Sequence, residues 1–440
     1  MSAQVQGEAA RPEESTQAAR KPGRRASIVV LLFTMLAVGV RVTRLGTDGS
    51  PSVSEMLMIV AALFVLCHAL LYPKRSIIRI DSSLKFFGAF LLWASASYFW
   101  ALHPEVVASE VIAVGLKGVT YALVIACTLT RRHVDHWGHL FVLMSLGFAL
   151  SAINEGAAGG KESFLLAAQE AGGWTWINHF GKWTCFLLPF NIHYIAFGNT
   201  RLMKFLAGLG IVGNLVTVYL ISRRAPLLVI TLELIIFAVL FRQYRKTFIG
   251  FALLLMLALP VLVVCNKDFA ARVAMTAVEI SARLQGEDIA FGSVRFMQYQ
   301  AGAAAVRAHY LVGLGIGSLR FWTHEVYGFR MVFWPHNLTL QILGELGIPG
   351  GLLYAGFVLT ALGRGWRTWK HLMRENQFRE ASLVTAMICG VIGLVVYGQF
   401  QPILTEMHLY LALSVLSVTA LIYRTPAPEP ASEEADATVD

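Results

Sequence analysis

The chain has 440 residues, of which 56% are hydrophobic and 14% are charged, and its formal net charge is +9. Because soluble domains carry about a quarter charged residues, this composition excludes a soluble globular protein and predicts one whose main solvent is lipid. Nucleic-acid-binding proteins cluster Lys and Arg on an exposed face, whereas here these residues lie at the ends of apolar runs. We therefore expect membrane lipid, and no nucleic acid, as a partner.

The two ends of the chain are polar. Residues 1–26 are rich in Ala, Glu, Gln and Arg, and the first apolar run begins only at Ser27. We expect that run to be a retained membrane anchor and not a cleaved signal peptide. Residues 424–440 contain several Pro and acidic residues and no aromatic residue. Both ends are predicted to be disordered.

Apolar runs between these ends are long enough to cross a bilayer as helices, since one crossing takes about 20 mostly apolar residues. Nine such runs lie in 27–265 and three lie in 337–423. The predicted fold is an all-α polytopic membrane protein with about 12 transmembrane helices. The predicted spans are 27–44, 53–72, 84–101, 108–130, 137–154, 177–197, 203–222, 225–241, 247–265, 338–362, 381–399 and 403–423.

The distribution of Lys and Arg predicts the orientation, because short connections rich in these residues stay in the cytoplasm. With the N-terminus inside, the short inner connections carry about three times as many Lys and Arg as the short outer ones. Both ends of the chain are therefore expected in the cytoplasm. The outer connection at 155–176 is predicted to be a short loop with a Gly-rich start.

A long segment, 266–336, separates predicted helices 9 and 10 on the outer side. Within it, 270–284 and 294–313 space their apolar side chains with a helical period. Amphipathic helices of this kind lie at the membrane interface or cover a cavity. We expect this segment to form a cap over the outer end of the bundle, and we expect function there.

Arginine residues on the outer side are the first candidate site residues. Arg223 and Arg224 stand between two apolar spans, where a charge is costly and usually functional; the alternative is a pair that anchors the chain at the interface. Arg295 lies on an amphipathic stretch of the cap, where a solvated helix face is the alternative. Because Arg binds phosphate oxygens bidentately, these residues indicate an anionic, phosphate-bearing substrate.

His336 and Asn337 open the helix that follows the cap. A helix N-terminus favours an anion through its free N–H groups and its dipole, and it favours the neutral imidazole, which can act as a base near pH 7. A capping or interfacial role for His336 is the alternative. Carboxylates are sparse on the outer side and the five cysteines show no metal-ligand spacing, so we expect no metal and no cofactor.

The motifs SRRA at 222–225, HYLVGLGIGSLRFW at 309–322 and PHNLTLQILGELGIPGG at 335–351 resemble those of the O-antigen ligase and polymerase superfamily. The signature residues of the last motif correspond to His336, Asn337, Glu345, Gly347 and Gly350. The resemblance implies a glycosyltransferase with a C-type-like membrane fold and a periplasmic active site, in the inner membrane of a Gram-negative bacterium.

The resemblance also implies the chemistry. A glycan would move from undecaprenyl pyrophosphate to a sugar hydroxyl of lipid A-core, without a metal and with inversion at the anomeric carbon. Arg223 or Arg224 together with Arg295 would bind the pyrophosphate, His336 would activate the acceptor hydroxyl, and Asn337 would support it. The alternatives are an O-antigen polymerase that uses the same donor and, from another class, an anion transporter using the same arginines and the isolated polar residues Lys117, Glu233 and Glu406. Buried ion pairs that hold the bundle together would explain these three residues as well.

Overall fold

The computed structural model describes residues 53–71, 81–170, 174–221, 224–265, 294–327 and 335–424, together with residues 270, 274 and 281. Every regular element in these ranges is helical, which confirms the all-α class. The α-helices described are α1 (Val53–Leu71), α2 (Ser82–Ala96), α3 (Pro104–Cys127), α4 (Arg131–Glu170), α5 (Trp174–Phe197), α6 (Arg201–Ile221), α7 (Arg224–Leu240), α8 (Arg245–Cys265), α9 (Val294–Ala308), α10 (Leu319–Tyr327), α11 (Leu338–Arg374), α12 (Phe378–Tyr397) and α13 (Met407–Arg424).

Membrane-spanning character is clear for a subset of these helices. Within the described ranges, five helices are long and apolar enough to cross a membrane, and a shorter apolar helix, Ala225–Leu240, adds to them. Each predicted span from 53–72 onward overlaps a described helix, although the helix under 84–101 ends at Ala96 and the helix under 403–423 begins only at Met407. The total of twelve stays a prediction. The predicted span 27–44, the predicted disordered end 1–26 and all but the first residue of the predicted disordered end 424–440 lie outside the described residues. Arg424 is not disordered, because it is the last residue of α13. The five spans are Pro104–Cys127, Arg201–Tyr219, Leu338–Arg374, Phe378–Tyr397 and Met407–Arg424.

Helices α12 and α13 form the centre of the bundle. Within their most apolar windows, 78% of α12 and 89% of α13 is buried inside the protein, against 33% of α6. Helices α5 and α7 pack on α12, α3 packs on α13, and α11 packs on both. The site described below lies at the end of α12, so it is built on one of these two enclosed helices.

Local signals in the sequence explain where several helices begin. Asp81 caps α2, since its side chain accepts a hydrogen bond from the amide of Leu84 at 2.7 Å. Pro104 opens α3 at a position where a missing N–H costs nothing. Asn337 caps α11 in the same way as Asp81 caps α2, through the amide of Leu340 at 2.9 Å. Caps of this kind satisfy amides that have no partner within the helix.

Helix α4 corrects one prediction. The short outer loop expected at 155–176 is wrong for most of its length, because α4 stays helical through Glu170 and α5 begins at Trp174. The glycines that indicated a loop are followed by KESFLLAAQE, in which Ala, Leu, Glu, Gln and Lys are favourable in helices. Their combined preference outweighs the cost of the glycines.

Helix α11 is longer than predicted and is broken. It is interrupted at Gly347, where the backbone has φ 65° and ψ −168°, two residues before Pro349. The predicted end at residue 362 is wrong, because the helix continues to Arg374. The Arg and Lys residues that follow Leu362 therefore lie on a helix and not in a loop, and long basic side chains are good helix formers.

Candidate functional site

The break in α11 leaves backbone groups without their helical partners. Pro349 has no N–H, so the carbonyl of Glu345 cannot accept the hydrogen bond that residue i+4 normally donates. The carbonyl of Gly344 also loses its helical partner, because the amide of Ile348 donates its hydrogen bond to a residue outside the helix. Unsatisfied groups of this kind are costly in a membrane, so another segment has to supply partners.

Residues 309–318, here called the glycine loop, supply those partners. Leu314 N donates to the Gly344 carbonyl at 2.9 Å, and Gly315 N donates to the Glu345 carbonyl at 2.8 Å. In return, the amide of Ile348 donates to the carbonyl of Tyr310 at 2.8 Å. The glycine loop therefore replaces the missing hydrogen bonds of the broken helix one for one.

Two glycines make this docking possible. A Cβ on Gly347 would lie 2.6 Å from the carbonyl oxygen of Leu311, and a Cβ on Gly315 would lie 2.7 Å from the Cα of Ala101. Both residues have positive φ, at 65° and 89°, which side chains disfavour. These are glycines of the motifs quoted above, and the contacts explain why the motifs contain glycine at these positions.

The cap is also fastened to the start of α3. Arg320 Nη2 lies 3.1 Å from Glu110 Oε1, and His103 Nε2 lies 3.0 Å from Glu325 Oε1.

In the parts of the chain that the structure describes, no group of three or more His, Cys, Asp or Glu side chains could hold a metal ion. Of the expected cap helices, 294–313 is confirmed as α9 up to Ala308, and most of 270–284 lies outside the described residues.

His336 directly precedes Asn337, the residue that caps the N-terminus of α11. Its backbone φ is 26°, which is uncommon for a residue with a side chain, although His adopts this region more readily than most. Asn337 accepts from the Leu340 amide and donates from Nδ2 to the carbonyl of Gln399 at 3.3 Å. The structure thus fixes the backbone on which His336 is carried, and Asn337 is part of that support.

The end of α12 holds this segment in place. Leu338 N donates to the carbonyl of Gly398 at 2.7 Å, which attaches the first turn of α11 to the residue that follows α12. The hydroxyl of Tyr299 on α9 lies 3.2 Å from the Gln399 carbonyl oxygen and 3.4 Å from the His336 carbonyl oxygen. Helix α9, the start of α11 and the end of α12 therefore meet at one point.

Arg295 lies on the helix that makes this contact. It is four residues before Tyr299 on α9, and residues four apart share a helix face. Its side chain is outside the described atoms. The backbone of Arg295 therefore lies about one helical turn from Tyr299, whose hydroxyl contacts the His336 carbonyl.

The arginine turn reaches the same end of α12. Arg224 is the first residue of α7, while Arg223 and the side chain of Arg224 lie outside the described residues. Two residues after Arg224, the ring of Pro226 packs beside Gly181: a Cβ on Gly181 would lie 3.3 Å from Pro226 Cγ and 2.6 Å from the hydroxyl oxygen of Tyr397. Tyr397 is the last residue of α12, so all three predicted segments of the site pack around the end of this helix.

Several residues of this arrangement were not predicted. No motif marked Tyr299 as a contact of His336 or Gln399 as a contact of Asn337. Lys182 of α5 donates from Nζ to Glu406 Oε1 at 2.8 Å. The sequence indicated Glu406 as an isolated polar residue, but this ion pair joins residues 224 positions apart, and no spacing rule reveals such a pair.

Residues 209–355 match the family model described as O-antigen ligase. The match covers about a third of the 440 residues and includes the arginine turn, the cap and the start of α11. It supports the resemblance on which the expectations above depend. No curated protein matches the chain.

Proposed function

We propose that this chain, whose residues 209–355 match the family model described as O-antigen ligase, moves O-antigen polysaccharide from undecaprenyl pyrophosphate to a sugar hydroxyl of lipid A-core. The family supports an O-antigen ligase or polymerase type of function in general. The proposal adds the donor, the acceptor, the periplasmic face of the inner membrane and the cytoplasmic position of both chain ends.

Donor binding is assigned to arginine. Arg295 and one of Arg223 and Arg224 bind the pyrophosphate of the donor. Each guanidinium offers a planar pair of N–H donors that matches two phosphate oxygens and keeps its charge at any relevant pH. Neutralisation of the pyrophosphate by guanidinium groups makes the reaction independent of a metal ion.

Transfer is a single displacement at the anomeric carbon of the donor glycan. The acceptor oxygen forms a bond to that carbon while the bond from carbon to the pyrophosphate oxygen breaks, and its electron pair leaves with undecaprenyl pyrophosphate. His336 takes the proton from the acceptor hydroxyl, and Asn337 holds the backbone that carries the imidazole. Attack opposite to the leaving group inverts the configuration.

The observation that carries the proposal is the convergence at the end of α12. Three segments chosen for their chemistry, the turn at Arg224, the helix with Arg295 and the start of α11 at His336, lie far apart in the sequence. They pack around Tyr397, Gly398 and Gln399. Two phosphate-binding cations and one base need this proximity, since donor and acceptor have to react within one site.

Purified protein with undecaprenyl-pyrophosphate-linked glycan and lipid A-core tests the proposal. We expect glycan on lipid A-core at the same rate with and without EDTA, with an inverted linkage. His336→Asn is the sharpest variant, because Asn also tolerates positive φ but is no base at neutral pH. Its rate should fall roughly 10²- to 10⁴-fold, as expected for the loss of a general base. A near wild-type rate in this variant would contradict the role of His336.

A polymerase is the second candidate, since the family includes this type of function in general. It would use the same donor and the same residues, but its acceptor would be a second lipid-linked glycan. The same assay separates the two: a polymerase lengthens the polyprenyl-linked glycan when lipid A-core is absent, whereas a ligase needs lipid A-core.

A further inference from the structure

Residues 398–406, here called the return loop, connect α12 to α13 and hold the proposed catalytic segment. Their first two carbonyl oxygens accept hydrogen bonds from Leu338 N, Asn337 Nδ2 and the hydroxyl of Tyr299. The side chain of Gln399 accepts another from Thr339 Oγ1 at 2.9 Å. The position of the return loop therefore decides where the start of α11 lies.

The other end of the return loop is held by an ion pair inside the bundle. Lys182 Nζ and Glu406 Oε1 are 2.8 Å apart, and their side chains are 5% and 18% exposed. Next to this pair, the ring of His408 packs on Trp183 with 4.2 Å between ring centroids. The hydroxyl of Tyr410 donates to the carbonyl of Leu404 at 2.9 Å, which fixes the loop further.

This ion pair lies between the two halves of the proposed site. Lys182 follows Gly181, the residue that packs against both Pro226 near the arginine turn and Tyr397 at the end of α12. Glu406 ends the loop that begins one residue after Tyr397. The pair therefore ties the α5–α7 side, which carries the donor-binding arginine, to the loop that carries the His336 segment.

Stability alone does not account for a pair of this kind. Removing two charges from water costs about as much as their attraction returns, and apolar replacements of buried ion pairs are often equally stable or more stable. What an ion pair adds is a fixed distance and direction between two groups. A fixed geometry is what a loop needs if its backbone carbonyls are to orient a catalytic residue.

We propose that Lys182 and Glu406 are positioning residues of the active site, which set the return loop so that its carbonyls hold Asn337 and His336 in place. The inference rests on the proposed function for the role of His336. Without Lys182, the half-buried carboxylate of Glu406 loses its 2.8 Å partner, keeps the longer contact of 3.6 Å between Oε2 and His408 Nδ1, and moves toward water. The return loop moves with it, and the hydrogen bond from Leu338 N to the Gly398 carbonyl lengthens.

Hydrogen–deuterium exchange on the full-length protein in detergent tests the geometry without any substrate. In Lys182→Met, the amides at 338–340 should exchange roughly 5-fold faster than in wild type, since the Gly398 carbonyl then holds the amide of Leu338 less tightly. Arg379→Met is the matched control. It removes an ion pair at the opposite end of α12, where Arg379 Nη2 lies 3.0 Å from Asp135 Oδ1, and it should leave these amides unchanged. Wild-type exchange in Lys182→Met, or equal acceleration in both variants, would overturn the proposal.

Kinetic constants of a double variant test the proposal independently, and this test remains possible if Lys182→Met folds poorly. The double variant Lys182→Met/Glu406→Leu replaces the pair with apolar groups and should keep the Tm of wild type. Its kcat should fall roughly 10- to 100-fold, as misplacement of a reacting group by about 1 Å does, while its KM for the lipid-linked donor stays near that of wild type. Wild-type kcat in this variant would overturn the positioning role. If the wild-type protein itself transfers no glycan, the proposed function fails, and the exchange experiment still decides whether the pair sets the loop.

Discussion

The hydroxyl of Tyr299 lies between the carbonyl oxygens of His336 and Gln399, at 3.4 Å and 3.2 Å. This side chain connects α9, the helix that carries Arg295, to the segment before α11 and to the segment after α12. This hydroxyl is therefore one of the connections between the helix of Arg295 and the part of the proposed site that carries His336. A hydroxyl that serves two carbonyls can donate only one proton at a time, so it can alternate between them.

Tyr299→Phe removes this connection and keeps the ring. We expect a decrease in kcat/KM of roughly 5- to 10-fold, because a net hydrogen bond contributes about 1 kcal/mol, with little change in Tm. Tyr98→Phe is the control, since Tyr98 lies between α2 and α3 and is 53% exposed. Kinetic constants from the purified protein provide the measurement. Equal constants for wild type and Tyr299→Phe would show that the hydroxyl does not support the site.

Local features of the site could be predicted from the sequence. The break at Gly347 follows from Gly and Pro in a helical pattern, and the cap at Asn337 follows from the preference of Asn for helix starts. The resemblance of three short motifs indicated which of the outer residues belong together. The helix break and the helix cap depend on residues that are neighbours in the chain, and the grouping of the motifs depends on a known family pattern.

Contacts between distant segments could not be predicted. The bonds from Tyr299 to Gln399 and from Lys182 to Glu406 depend on how whole helices pack, and neither partner carries a signal that names the other. Helix α4 shows a second limit, since Gly156, Gly159 and Gly160 indicated a loop and yet lie in a helix. A helix of this length is favoured by its many other residues, so local breakers do not decide its end.

Gly347→Ala should destabilise the protein. Its Cβ would lie 2.6 Å from the Leu311 carbonyl oxygen, and its backbone φ of 65° disfavours a side chain. Strain of this type costs about 1–3 kcal/mol, so the Tm measured in detergent should fall by several degrees. Gly363→Ala in the same helix is the control, because a Cβ there meets nothing within 4 Å. The docking of the glycine loop would be unimportant for stability if both variants kept the Tm of wild type.

Arg295→Ala should reduce transfer by roughly 10- to 100-fold or more, because a hydrogen bond to a charged group contributes about 1.5–3 kcal/mol. Arg295→Lys should also be impaired, since an ammonium lacks the planar pair of donors. Arg307→Ala on the exposed last turn of α9 is the control and should keep its activity. At least one of Arg223→Ala and Arg224→Ala should match Arg295→Ala. Full activity in both would show that the arginine turn is an interfacial anchor.

Thiol labelling of intact cells tests the orientation. Ala308→Cys, at the exposed end of α9, should react with a membrane-impermeant reagent, whereas Arg367→Cys, at an exposed position of α11 that is predicted to lie inside, should not. The experiment needs a background without native cysteines, because Cys67 is exposed. The positive-inside distribution of Lys and Arg predicts this result. Labelling of position 367 from outside would put the proposed site in the cytoplasm and contradict the use of a flipped donor.

Deletion of the gene separates a ligase from a polymerase in the cell. A ligase has to admit lipid A-core, whose acyl chains stay in the outer leaflet of the inner membrane, next to the polyprenyl donor. That demands an apolar surface beside the site, and Tyr310, Leu311 and Val312 of the glycine loop are exposed there. A polymerase has to hold a long water-soluble glycan, for which a second large outer loop is suited, yet α4 and α5 are separated by three residues. We therefore expect the deletion strain to accumulate full-length polyprenyl-linked glycan and to carry none on lipid A-core. Lipid A-core that bears a single repeat unit would identify the protein as the polymerase instead.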